Sequence, residues 1–130
     1  MGKENLPKPT DAELEILGVL WERGASTVRE VHEVLNTRKL TGYTTILKLM
    51  QIMLEKGLVK RDESQRAHIY EAKFAREQTQ RWLLTDLLNR VFDGSAVKLV
   101  MQALSTKRAL PEELVEIRKV LDELERSDKK

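Results

Sequence analysis

The chain contains no cysteine. That one absence excludes disulfides, thiolate metal sites and cysteine nucleophiles together. Aromatic residues make up only 5% of the 130, so a core must come mainly from Leu, Ile, Val and Met. No stretch approaches the roughly 18 apolar residues of a membrane-spanning helix. The opening MGKENLPKPT lacks the apolar run of a signal peptide. Gly2 meets the first demand of N-myristoylation, but position 6 is Leu where Ser or Thr is required. The expectation is a cytoplasmic chain without membrane insertion.

Catalytic groupings are also missing. There is no GxSxG, no Walker sequence and no Gly-rich phosphate loop. The two histidines, His32 and His68, lie far apart and share no ligand spacing. His32 reads as a helix-surface residue, and His68 as a hairpin residue placed to meet a phosphate. Paired carboxylates such as Glu112 and Glu113 fall on a polar helix face. No enzyme activity, cofactor or metal is expected.

What is present is a foldable chain, 41% hydrophobic and 34% charged, of one domain or one domain with an oligomerisation segment. The net charge of +2 conceals an asymmetry. Residues 11–33 hold six carboxylates against two arginines, a net −4, while residues 38–66 hold seven cations against three carboxylates, a net +4. The second stretch is a modest electrostatic footprint for a polyanion.

The apolar spacing gives the order of elements. Thr10 and Glu13 form a capping box before a helix with Leu14, Leu17, Val19, Leu20 and Trp21 on its apolar side, ended by Gly24. Thr27 and Glu30 repeat that signal before Val28, Val31, Val34 and Leu35. A third helix starts near Tyr43, buries Ile46, Leu49, Met50 and Met53 with Leu47 and Leu54 at the margins, and closes at Gly57. The runs LVKRD and AHIYEA then read as a hairpin with a polar tip. Further helices follow, with breaks at DGS and ahead of Pro111.

The fold class expected is therefore mainly α with a small β-hairpin wing, a winged helix-turn-helix followed by a helical dimerisation segment. The division is a tail at 1–9, a DNA-binding domain at 10–73, dimerisation helices at 74–126 and a polar tail at 127–130. Helices with wide apolar faces cannot all bury them in one small unit. A homodimer would cover Leu84, Leu87, Leu88, Val91 and Val100, together with the a/d-like seam Leu114, Ile117, Leu121 and Leu124.

The front of the third helix carries the chemistry for double-stranded DNA. Thr44, Thr45 and Lys48, with Gln51 and Glu55 further round, lie opposite its apolar side. Thr and Lys at a helix start suit base edges and phosphates in a major groove. Tyr43 can reach a phosphate through its hydroxyl, and Arg38, Lys39 and Thr41 precede the helix where a backbone would pass. Ser26 and Thr27 offer hydroxyls and amides to another phosphate, and Lys60, Arg61 and Arg66 charge the wing. Two other readings remain open: a winged-helix regulator with a small-molecule pocket between its dimer helices, and a winged-helix adaptor that binds protein and not DNA.

DAELEILGVLWERGASTVREVHEVL, GYTTILKLMQIMLEKGLVKRD and RAHIYEA, taken in order with FDGS and LV further on, resemble the penicillinase repressor family from Pro9 to about Leu124. The resemblance implies a homodimeric repressor of a palindromic operator, with Thr44, Thr45 and Lys48 on the groove helix and a wing contact near Arg66. In the β-lactam branch, repression is relieved by proteolysis relayed from a membrane sensor protease, at an Asn-Phe bond in the fifth helix. The aligned pair here is Gln102 and Ala103, and both differ. The copper branch uses C-terminal Cys-x-Cys motifs, which this chain lacks. Ile52 stands where several members carry a basic residue, so no operator sequence carries over.

Overall fold

The computed structural model describes residues 7–128. The tails expected at 1–9 and 127–130 fall partly outside the described residues, as does Gly2. The elements in chain order are α1 (Asp11–Arg23), α2 (Val28–Arg38), α3 (Tyr43–Lys56), β1 (Val59–Asp62), β2 (Ile69–Ala72), α4 (Arg76–Val91), α5 (Ala96–Thr106) and α6 (Pro111–Asp128). The order is mainly α with one antiparallel hairpin, as its spacing implies.

Local chemistry sets the helix starts. The Thr10 hydroxyl accepts from the Glu13 amide at 3.2 Å, and the Glu13 carboxylate accepts from the Thr10 amide at 2.9 Å. Thr27 and Glu30 make the same reciprocal pair at 3.1 and 2.9 Å. Each box satisfies two amides that a helix start otherwise leaves bare. Helix α3 ends on Gly57 at φ 83°, whose amide donates back to the Met53 and Leu54 carbonyls. A left-handed residue here turns the chain into β1 at little cost only if it is glycine.

The hairpin pairs Val59 with Ala72 and Asp62 with Ile69. Ala67 and His68, expected in the second strand, lie in its polar tip. A third chain segment joins the hairpin. Ser26 and Tyr70 exchange backbone hydrogen bonds of 2.9 and 2.8 Å and bring the turn before α2 alongside β2.

One aliphatic core holds these elements: Ile16, Leu17, Val19 and Leu20 from α1, Val28, Val31 and Leu35 from α2, and Ile46, Met50 and Met53 from α3. Leu58, Val59 and Tyr70 complete it. Each such side chain contributes about 1.5–3 kcal/mol relative to exposure. Leu14, Trp21 and Leu49 are only partly buried, whereas Ile16, outside the expected stripe, is fully buried. Helix α1 meets α2, α3 and β2 at once, so its buried arc is wider than a one-partner stripe.

The chain forms two compact units that meet between Leu84 and Thr85, within α4 and beyond the 73/74 division read from the sequence. The first turns of α4 pack with the first unit. Thr79 is buried there, the Arg76 guanidinium lies 5.6 Å from the Trp21 ring centre, and Trp21 Nε1 donates to the Phe74 carbonyl at 2.9 Å.

The second unit runs from Thr85. Asp93 at φ 52° and Gly94 at φ 78° turn the chain after α4, and the Ser95 hydroxyl caps α5 through the Lys98 amide at 3.1 Å. Helix α6 continues through Ser127 and Asp128, into the expected polar tail. No residue of α5 or α6 is buried. Leu87, Val91, Val97, Val100, Met101, Leu104, Leu114, Leu121 and Leu124 are all exposed, while Leu88 and Ile117 are half-buried.

Candidate nucleic-acid interface

Helix α3 is anchored from behind. Ile46, Met50 and Met53 are at most 2% exposed, and the helix packs on both α1 and α2. Thr44, Thr45, Lys48, Gln51, Ile52 and Glu55 are exposed on the opposite side. The expected group of threonines and lysine is thus brought together on one solvent face.

The start of α3 differs from the starts of α1 and α2. Its cap is Gly42, with no side-chain hydrogen bond, and its first turn contains no acidic residue. The first amides of α3 therefore meet no capping side chain, and no acidic residue of its own first turn offsets the positive end of the helix dipole. The approach to this end is fixed by its own loop. His32 Nε2 lies 2.7 Å from the Thr41 carbonyl and, facing an acceptor, donates to it. The Thr41 amide donates to Asn36 Oδ1 at 2.9 Å, and its hydroxyl donates to the Lys39 carbonyl at 2.7 Å. The Tyr43 ring stands edge-on to His32, centres 5.8 Å apart. His32, expected as a surface residue, is half-buried and braces the turn. Thr41 has both donors engaged, one by α2 and one within the loop, and helps to lock it.

The wing lies beside this helix. A groove of about 650 Å³ runs between α3, the start of α2 and the hairpin tip, lined among others by Thr27, Arg29, Tyr43, Gln51, Arg66 and His68. Arg66 and His68 are exposed. Arg29 and Gln51 join the site through this juxtaposition. Arg29 had no signal in the sequence, because what sets α2 against the hairpin is the Ser26–Tyr70 pairing between distant segments.

Not every expected phosphate ligand is available. Ser26 is fully buried, and its hydroxyl donates to the Gly24 carbonyl at 2.8 Å while accepting from Arg23 Nε at 3.1 Å. Its amide is used in the pairing with Tyr70. Ser26 is therefore a structural corner and not a phosphate donor. The Thr27 amide is engaged by the Glu30 carboxylate, although its side chain still lines the groove. Arg61 pairs with Glu63 through Nε at 2.7 Å and lies 5.9 Å from the Tyr70 ring centre. Hydrogen bonding to the Tyr70 hydroxyl, then to Glu63, raises its already high pKa. Arg61 lines the groove while bracing the wing through these bonds, Arg66 lines it and faces solvent, and Lys60 is exposed on the hairpin outside the groove lining. Arg38 makes only a loose, exposed contact with Glu22 at 3.7 Å.

Among the described residues there is no group of His, Asp or Glu arranged to hold a metal ion, and no helix long and apolar enough to cross a membrane.

Known proteins share the sequence and the fold of this chain. The family model described as Penicillinase repressor matches residues 9–123. The transcriptional regulator BlaI of Mycobacterium tuberculosis is 31% identical over 116 residues, covering 88% of this chain and 83% of that protein. The penicillinase repressor of Bacillus licheniformis is 23% identical over 120 residues, covering 92% of this chain and 94% of the other. The solution structure of the DNA-binding domain of the repressor BlaI superposes with a TM-score of 0.50 at 24% identity, covering 55% of this chain and 87% of that one. That likeness concerns the fold.

Proposed function

This chain belongs to the penicillinase repressor family, and we propose from that premise that it is a DNA-binding transcriptional repressor acting as a homodimer on a palindromic operator. Helix α3 enters the major groove by its uncapped start. Thr44, Thr45 and Lys48 meet base edges and flanking phosphates, and Arg66 with Lys60 follows the backbone from the wing. The observation that carries this reading is the pairing of a fully buried back with a polar front on α3, beside a groove that the hairpin tip flanks with Arg66 and His68.

The second unit supplies the dimer contact in this reading. Its support is the set of exposed leucines and valines on α4–α6, with Leu114, Ile117, Leu121 and Leu124 in one seam. Two-fold symmetry then sets two copies of α3 about one turn of duplex apart. Gln102 and Ala103 are exposed in α5. A cut between them, as by a membrane sensor protease, would separate α6 from the DNA-binding unit and weaken the dimer. The compartment in this reading is the cytoplasm, where the DNA is.

The test is binding to duplexes selected from a random pool, titrated across salt. Lys48, Lys60 and Arg66 give three exposed cations per protomer. A dimer using all of them would show a log–log salt slope of about −5. Lys48→Ala should reduce that slope by about 2, one for each copy, if it contacts phosphate, or relax one position of the site if it contacts a base. Unchanged binding in Lys48→Ala, Thr45→Ala and Arg66→Ala alike would remove α3 and the wing from the interface.

A further inference from the structure

One residue on the exposed side of α3 does not fit its polar company. Ile52 is 45% exposed. It belongs neither to the buried core nor to the partly buried side chains packed against it. Helix propensity does not explain it either, because a β-branched residue is a mediocre helix former at a solvent site. A single exposed apolar residue is ordinary on a protein surface, but this one has a defined address. Thr45, Lys48 and Ile52 follow the i, i+3, i+7 spacing that puts side chains in one stripe. Thr45 and Ile52 are about 10 Å apart along the axis, within the stretch of a recognition helix that lies in a major groove.

The major groove offers one apolar group, the C5 methyl of thymine. A branched aliphatic side chain has no hydrogen bond to give there, only surface to cover. We propose that Ile52 is a specificity-determining residue that packs on a thymine methyl in each half-site. The proposal rests on the reading of α3 as the groove helix. It assigns the later part of that helix to shape and methyl recognition, while Thr44, Thr45 and Lys48 serve polar edges and phosphate.

The test uses the full chain and a duplex recovered from a random pool. Each thymine of the half-site is replaced in turn by uracil, which deletes only the methyl. Burying one methyl group corresponds to about a fourfold change in affinity. The expected result is one thymine whose replacement weakens the native protein about fourfold and leaves Ile52→Ala unaffected, with Ile52→Val intermediate. If uracil weakens native protein and Ile52→Ala equally, or has no effect at any position, the Ile52 assignment is overturned while groove binding by α3 stands. If no sequence is enriched and no duplex is bound, the underlying reading fails first and takes this one with it.

Discussion

Removing the charge of Glu13 should loosen the platform that holds α3 in place. Glu13 is 2% exposed in the first turn of α1, and its Oε1 accepts from Lys56 Nζ at 2.7 Å. Lys56 is the last residue of α3, so the pair ties the positive end of one helix to the negative end of another. Burial pushes the Glu13 carboxyl pKa up. The Lys56 ammonium and the Thr10 amide and hydroxyl outweigh that, and the net shift is downward from 4.5. Losing one partner of a fully buried pair costs about 3–5 kcal/mol. The Lys56 side chain keeps 31% of its surface in water, so it can re-solvate when Glu13 is neutralised. A hydrogen bond to a charged group contributes about 1.5–3 kcal/mol, which sets the expected loss for Glu13→Gln near 2 kcal/mol. Gln keeps an oxygen for the Thr10 amide, so the capping box survives. Glu13→Ala should cost about 1 kcal/mol more. Both tryptophans, Trp21 and Trp82, lie in the first unit, so their fluorescence in a urea titration reports the relevant transition. A depressed carboxyl pKa stabilises the fold above the ordinary carboxylate range and ceases to do so as pH falls through its folded value. The gap between native protein and Glu13→Gln should therefore be full at pH 7 and close below about pH 4. A gap that stayed constant from pH 7 to pH 3, or never exceeded about 0.5 kcal/mol, would refute the ion-pair argument.

Three further outcomes are expected. Gly42→Asp has an ordinary extended backbone to occupy, with Thr45 Oγ1 3.8 Å from the new Cβ. It should stabilise the first unit by a few tenths of a kcal/mol yet weaken duplex binding at low salt, because a carboxylate would fill the end of α3 that meets DNA in the proposed reading. Gly57→Ala meets no steric neighbour but must hold φ 83°, so urea unfolding should show a loss of about 1–2 kcal/mol. Leu121→Asp, at a site 55% exposed in the chain alone, should shift sedimentation from dimer to monomer and weaken operator binding. An unchanged dimer would take the α6 seam out of the interface.

The apolar period was sufficient to order the first unit, because each of its helices and the hairpin buries a side set by local spacing. The two capping boxes were readable for the same reason: each is closed within four residues. What the spacing did not carry was anything fixed by distant pairing. Ser26 has the composition of a phosphate ligand, and only the bond to Tyr70 across the fold shows it to be a corner. Thr41 looks like a free hydroxyl until Asn36, Lys39 and His32 are seen to surround it. Arg61 looks like a free cation until Glu63 and the Tyr70 hydroxyl are seen to engage part of its donor set. In each case a polar residue of suitable type was already engaged inside the protein.

The residues proposed to meet the groove lie on a helix whose start and back are held in different ways. A helix that presents side chains to DNA must be rigid, and its usual rigid start is a side-chain cap, which would occupy the amides and dipole end that an anion needs. Here the two tasks are separated. The cap position is a glycine without a side-chain bond. Rigidity comes from behind, through His32 and Asn36 of α2 holding Thr41 in the loop, and from the far end, through Lys56 on Glu13. Weakening either brace should alter the pose of α3 without touching a DNA contact. Filling the cap should do the reverse, preserving the pose and blocking the contact. Stability and affinity then change together for the first kind of substitution and in opposite directions for the second, which is what the proposed role of α3 as the groove helix requires.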